Sequence, residues 1–325
     1  MNKSLARRML LVSAAALAVS GSAAPTFAAD LPEVAGLFTG SVTQGSWDVG
    51  GYQAFEKMAK KYNFKPSHVE GASYEKAPAL LRQLASRGVK MIICHSSGYA
   101  AAIQEVAPDF PNTQFVLYSY ADSSHGLKNY TAWSVNWDEY GYVVGALGAG
   151  ASKTHHIAIV AAEPIPSAKR SIEFMIKGAK SVDPKIQVDT VFTGSFTDVA
   201  KAKEITTGLI ARGADFVIPS ADAADAGIQQ AADQETAMTM GEYTDEGAKF
   251  PNAIVSSTML NYTMAYDQIG KMFTDHTLGD KVVPLDLAGK AWTLSTPFKH
   301  VDKAVETKTL AVIDAIATKK IDVEK

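Results

Sequence analysis

"LASRGVKMIICHSSGYAAAIQEVA", residues 84–107, and "LIARGADFVIPSADAADAGIQQAA", residues 209–232, are two writings of one pattern. With a shift of 125 residues and no gap, Arg87-Gly88 falls on Arg212-Gly213 and Ile93 on Ile218. Ile103-Gln104 falls on Ile228-Gln229, and Ala107 on Ala232. Upstream, "GASYEKA" before the first copy resembles "GSFTDVA" before the second, with a small length difference. Any two strand–helix units of similar composition share some likeness. The sharper reading is two lobes of one duplicated fold, and two lobes imply a cleft between them.

Working outward, short apolar runs alternate with helical patterns along most of the chain. Strands are predicted at Val34–Phe38, Met91–Cys94, Phe115–Tyr118, Ile157–Ala161, Ile186–Phe192, Phe216–Pro219 and Ile254–Ser256. Helices are predicted near 48–62, 76–87, 98–107, 139–151, 167–181, 199–212, 223–235 and 261–276. Strand–helix–strand, repeated, means α/β architecture with parallel sheets covered on both faces. Strand ends and helix starts then gather on one sheet edge, where ligands of such sheets bind.

The ends and the composition narrow the class. Lys3, Arg7 and Arg8, an apolar run from Leu10 to Val19 and the small residues before Thr26-Phe27-Ala28 read as a secretory signal over residues 1–29. No cysteine near that cleavage region offers a lipid anchor, and the expected location is a bacterial periplasm. Cys94 is the sole cysteine, so no intramolecular disulfide is possible and the core alone must hold the fold. Without Lys3, Arg7 and Arg8 the formal charge goes from −3 to −6, which speaks against nucleic acid or an anionic membrane as partner.

The candidate site follows from the loops. In "GSVTQGSWDVGGYQAF", residues 40–55, Trp47 sits in the Gly- and Ser-rich turn between the first strand and the first helix. It either caps the local core or faces the opposite lobe. Ser46 reads as an N-cap and Asp48 lies in the first turn, where free N–H groups point outward. Phe196 in "TGSFTD" is the aromatic residue of the second lobe in an equivalent loop. One ring from each lobe can sandwich a flat ligand, and stacking on a base is worth about 1–3 kcal/mol. Ser97 in "CHSSGY", Ser220, Asp222 and Asp225 in "PSADAADAG", and Tyr243 and Asp245 in "GEYTDEG" offer polar groups at other strand ends. Ser and Asp before a helix also serve as ordinary caps. Trp137, ahead of an apolar helix, reads equally as core or site.

Together these loops resemble the basic-membrane-protein (PnrA-like) family of ABC-transporter substrate-binding proteins. The family's Ser–aromatic–Asn turn is similar to Ser46-Trp47-Asp48, and its "GSF-x-D" to Gly194, Ser195, Phe196 and Asp198. "IVAAEPIPSAKRSIEFMIKGAK", Gly213 to Asp225 and Ser256-Ser257 match further family features, so the likeness spans about residues 33–298. The resemblance implies a type I periplasmic-binding-protein fold: two doubly wound parallel-sheet lobes with a hinge and central cleft. The lobes expected are residues 30–152 plus 258–293 and residues 153–257 plus 294–325. Crossings are expected near Ala151–His155, Ser256–Thr258 and Trp292–Pro297. It also implies that Trp47 and Phe196 stack on the ligand, that Asp48 meets the base edge, and that Asp222 and Asp245 hydrogen-bond from the second lobe. The departures are Ser119 where the family often has Asp, Tyr243 where "GvDsD" has its first Asp, and no Lys after Ser256-Ser257 in "SSTMLNY". In the family those groups hold a ribose. Their loss turns the expectation from a purine nucleoside to a free purine base, adenine-like.

No catalytic constellation competes. H-E-x-x-H, G-x-S-x-G and C-x-x-C are missing from the sequence. "GALGAG", Gly145 to Gly150, lies at the end of a predicted helix, the wrong context for a phosphate loop. His155 and His156 are adjacent on a strand and point to opposite faces. The expectation is therefore a monomeric binding protein without enzyme activity, metal or cofactor, delivering a small molecule to a membrane ABC permease. A sugar-binding protein of the same fold and a nucleosidase-type hydrolase are the alternatives. The sugar reading would call for arginines and carboxylates around hydroxyls, and Arg170 is the one arginine placed near a cleft loop.

Overall fold

The structure, a computed structural model, describes residues 31–325. The expected export signal lies outside the described residues. The first run of elements is β1 (Glu33–Leu37), α1 (Trp47–Lys61), β2 (Lys65–Val69), α2 (Ala77–Ser86), β3 (Met91–Cys94), α3 (Ala100–Val106), β4 (Gln114–Ser119) and β5 (Tyr130–Val135). The second is α4 (Trp137–Ala151), β6 (His156–Ala161), α5 (Pro166–Val182), β7 (Gln187–Phe192), α6 (Val199–Ala211), β8 (Phe216–Ser220), α7 (Asp225–Gln234), β9 (Met238–Gly241) and β10 (Ile254–Leu260). The chain closes with α8 (Tyr262–Thr274), β11 (Lys281–Leu285), β12 (Trp292–Leu294) and α9 (Lys303–Ala317).

Two six-stranded sheets result. Their orders are β2-β1-β3-β4-β5-β11 and β7-β6-β8-β9-β10-β12. Read side by side, strand for strand, the orders are the same, which is the duplication that residues 84–107 and 209–232 announce. Every described pairing is parallel except β10 with β12. Matching detail extends to the turns: Gly88 and Gly213, 125 residues apart, both have positive φ, +88° and +105°, a region that glycine enters at no steric cost. Strand order reverses between β1 and β3 in one sheet and between β6 and β8 in the other. Those reversals open a crevice at the carboxyl ends of the strands, where such sheets bind ligands.

All seven predicted strands and all eight predicted helices are present. The five further strands are short, edge or weakly patterned. β2, "KPSHV", is mostly exposed, and β11, "KVVPL", carries a proline; both are edge strands. Proline and exposure are features of edges, and they erase the apolar run that marks a strand.

The passages between the sheets fall at residues 135–137, 260–262 and 285–292, displaced from the positions expected from sequence. The cause is packing. α4 lies along α5 and contacts α9, so it joins the second sheet rather than ending the first lobe. β10 stays in the second sheet along its whole length, and β12 pairs antiparallel with it. α8 packs against α1 and β11 pairs with β5, which returns the chain to the first sheet between residues 262 and 285.

The contact of α4 with α5 explains the first glycine of "GALGAG". A Cβ on Gly145 would collide with the Met175 backbone, and one on Gly178 with the Tyr142 backbone. The two helices approach through their missing side chains. Gly145→Leu is therefore expected to cost at least about 1–3 kcal/mol of stability, the usual range for overpacking. Gly150→Ala, on the same helix, has its nearest neighbour at 3.6 Å and is expected to be neutral or stabilising by up to about 1 kcal/mol. Urea unfolding of both variants checks the pair; equal midpoints would remove the packing argument.

Candidate ligand site

The first turn of α1 is capped from the other side of the cleft. Ser46 holds the N-cap position, but its side chain makes no cap hydrogen bond. Instead Asp222, in the loop after β8, accepts from the Ser46 and Trp47 backbone N–H groups with Oδ1, both at 2.8 Å. A carboxylate at a helix N-terminus meets the positive end of its dipole. Two local adjustments allow this reach. Asp222 takes a left-handed backbone, φ +52°, which Asp tolerates better than most residues. Gly45 leaves room, since a Cβ there would collide with the Asp222 carboxylate. The repeat supplies the reverse bond. Ser97, 125 residues before Asp222, accepts from the Ser167 backbone N–H at 3.2 Å and pairs with its hydroxyl at 3.0 Å. Ser167 lies in the first turn of α5. Each copy of the repeated loop thus caps the leading helix of the opposite sheet.

Trp47 is both core and lining. Only 8 % of it is exposed. Its Nε1–H donates to the His95 carbonyl at 2.8 Å, and the His95 Nε2–H donates back to the Trp47 carbonyl at 3.1 Å. His95 Nδ1 then accepts from the Tyr266 hydroxyl at 2.8 Å, and its ring stacks on Tyr118 at 4.9 Å and 14°. Burial pushes the His95 pKa down to about 3, so the ring is neutral. The Trp47 ring also meets Tyr243 edge-on at 5.1 Å and Trp137 at 5.9 Å. Both partners belong to segments of the second sheet, so aromatic contact joins the two halves beside the Asp222 cap.

A narrow cavity of about 510 Å³, mouth included, opens among these groups. Seven of the twelve residues singled out in the sequence line it: Trp47, Ser119, Trp137, Phe196, Ser220, Asp222 and Tyr243. Trp137 Nε1 is held by the Ser119 carbonyl at 3.0 Å. The remaining five are placed otherwise; Asp225 accepts from the Ala221 backbone N–H at 2.7 Å. Ser46 and Ser97 serve the caps just described. Asp48 is buried behind the lining, its Oδ2 accepting from Gly40 N–H at 2.6 Å and Thr39 Oγ1 at 3.0 Å. Asp245 is not brought to this cavity. It accepts from Gly247 N–H at 3.1 Å and lines a separate groove with Ser256, Ser295 and Lys299. Arg170 is engaged elsewhere too, forked onto Asp138 with both contacts at 2.6 Å.

Thr39, Tyr74, Ser96, Ile165 and Ser171 also line the cavity and were not singled out. Tyr74 had a signal: in the echo of "GASYEKA" and "GSFTDVA" it falls one position from Phe196. The two rings share a second, wider cavity at the mouth, with Glu75 and Glu163 on its wall. Behind Asp222 lies further acid. Glu242 accepts from the Tyr140 hydroxyl at 2.7 Å, and burial pushes its pKa up to about 8. Asp225 is likewise raised, by burial and then by Glu242. Among the described residues no three His, Cys, Asp or Glu side chains converge as metal ligands. No helix among them is long and apolar enough to cross a membrane.

Comparison with known proteins gives the following. Residues 31–325 match the family model described as ABC transporter substrate-binding protein, PnrA-like. The chain is 26 % identical over 272 residues to the transcriptional activator protein med of Bacillus subtilis, covering 83 % of this chain and 84 % of that one. It is 29 % identical over 171 residues to a purine-binding protein of Brucella abortus, covering 53 % of this chain and 47 % of that one. It is 23 % identical over 307 residues to the nucleoside-binding protein BmpA of Lactococcus lactis, covering 87 % and 84 %. Among solved structures, a solute-binding protein of an ABC transporter system from Aeropyrum pernix superposes with a TM-score of 0.81 at 15 % identity, covering 89 % and 92 %.

If Asp222 holds the halves together, Asp222→Ala should shift the molecule toward an open form by about 0.5–2 kcal/mol, the range for losing a helix cap. Small-angle X-ray scattering reads this as a larger radius of gyration, with Ser97→Ala producing a smaller change in the same direction. Scattering curves identical to that of the parent would refute the cross-cleft cap.

Proposed function

The chain belongs to the PnrA-like family of ABC transporter substrate-binding proteins, and from that premise we propose that it captures a free purine base, adenine-like, and delivers it to a membrane permease. One observation carries the reading. A single narrow cavity gathers flat rings from both halves, Trp47 and Tyr74 from one and Trp137, Phe196 and Tyr243 from the other, with the Asp222 carboxylate at its edge. Rings favour a planar heterocycle through stacking. A carboxylate favours an edge that carries N–H donors.

The rival ligands fit less well. A sugar site in this fold would set arginine beside hydroxyls, whereas Arg170 is committed to Asp138 and no arginine or lysine lines the cavity. A nucleoside needs polar groups for its ribose, and at two family positions for them the chain has Ser119 and Tyr243. The names of the Brucella and Lactococcus relatives point to purines and nucleosides as the ligand class. Capture then proceeds without chemistry. The ligand binds the closed form better than the open form and shifts the equilibrium by that difference. We further hold that residues 1–29 direct export to the periplasm and that the protein works as a monomer, with no nucleic acid as partner.

Calorimetric titration tests the cargo: adenine is expected to bind more tightly than adenosine and inosine. Markedly tighter nucleosides would sink the free-base reading. Phe196→Ala is expected to weaken adenine binding by at least tenfold with little loss of stability, because Phe196 is only half-buried. Trp47→Ala should weaken binding and also cost about 3–5 kcal/mol of stability, as for a core aromatic.

A further inference from the structure

Asp222 at the cavity edge meets Asp48 just behind the lining, and no described lysine or arginine lines the cavity beside them. Asp48 is fully buried, and its Oδ1 has no hydrogen-bond partner among the described residues. Asp222 arrives from the opposite sheet. The Oδ2 atoms of both lie within 3.8 Å of one point, the place a Cβ on Gly40 would occupy. The titratable groups facing the pair from every side are neutral or acidic. On the Asp48 side they are His95, Tyr74, Tyr99, Tyr262 and Tyr266; all four phenols are held above their ordinary range by burial. On the Asp222 side they are Asp225, Glu246 and Tyr243. No lysine or arginine among the described residues lines this cavity.

Two like charges in a buried place are costly. Burial first, and then the Asp222 charge, push Asp48 up to about 7. Burial outweighs the backbone N–H bonds and pushes Asp222 up to about 6. In an open cleft, water returns and both approach the ordinary value of about 3.9. A group whose pKa is raised by closure favours the closed form while protonated. That contribution is complete below about pH 4 and is lost as pH rises through about 6 to 7.

Resting on the purine reading, we propose that the closed cleft takes up its heterocycle together with one proton, held by the Asp48–Asp222 pair. The proton changes what the pair can recognise. A protonated carboxyl donates through O–H and accepts through C=O, while the second carboxylate remains an acceptor. Adenine offers the complement on either polar edge: a ring nitrogen that accepts, next to an exocyclic amine that donates. A pair of bare carboxylates accepts only, and leaves the ring nitrogen unanswered. The ligand class is therefore an aminopurine-type base, with acceptor and donor side by side.

The test is titration of the folded protein with adenine at pH 6 in two buffers of different ionisation enthalpy. The expected result is net uptake of about one proton, with affinity falling up to about tenfold for each pH unit between about 5 and 7 and levelling off above that. Asp48→Asn supplies a permanent N–H donor and should abolish most of the uptake and flatten that pH dependence. Asp222→Asn, which keeps an acceptor for the α1 cap, serves the same purpose if Asp48→Asn fails to fold by circular dichroism. Tight adenine binding with no proton exchange and a flat pH profile would overturn the proposal and leave the purine reading standing. Failure of every purine base to bind between pH 5 and 9 would overturn both.

Discussion

The Asp222 carboxylate on the first turn of α1 is the contact on which the rest of the molecule turns. A helix begins with N–H groups that have no partner within it. Here the partner comes from the opposite sheet, 176 residues further along the chain from Ser46. The cap therefore forms only when the halves are together. Ser97 does the same for α5, from the same position in the other copy of the repeat. Duplication of the fold has produced two reciprocal caps, and residues of both, Asp222 and Ser167, line the cavity. One cap is a hydroxyl and the other a carboxylate. That difference gives the cleft its charge.

The aromatic groups solve a different problem. A cleft that opens must expose its walls to water and still be worth closing. Trp47 manages this because its ring is anchored by backbone hydrogen bonds with His95 on its own side and meets Tyr243 and Trp137 from the other. Apolar area removed from water on closing contributes roughly 25 cal/mol per Å². The cost of holding Asp48 and Asp222 together opposes it. A ligand edge that satisfies those carboxyls would tip the balance. Binding and closure are thus one event, described from either side.

Much of this was legible in the chain, for identifiable reasons. The strands that read clearly, β3, β4, β6 and β8, are buried on both faces and have near-continuous apolar runs. Edge strands such as β2 and β11 lack that run, because solvent covers part of them. The internal echo found the duplication, and it would have found Tyr74 had the aromatic one position from it in the second copy, Phe196, been followed back. Seven of twelve candidate site residues line one cavity because strand-end loops converge wherever parallel sheets reverse their order. Asp245 was misleading: a loop residue two positions from Tyr243 still turns away, to bond its own backbone.

The sequence by itself determined the periodic features: which segments are strands and helices, that the pattern occurs twice, and that aromatic and acidic residues cluster at strand ends. These follow from side-chain order along the chain, which is local. Tertiary structure alone decided which half α4 joins, where the chain passes between sheets, and that Ser46 is capped by Asp222 rather than by its own hydroxyl. Those depend on contacts between residues well separated along the chain, from Gly145 against Met175 to Ser46 against Asp222. Helix-on-helix approach through Gly145 and Gly178, and a carboxylate fitted against Gly45, are matters of shape in three dimensions. No periodicity in one dimension encodes which surfaces will meet.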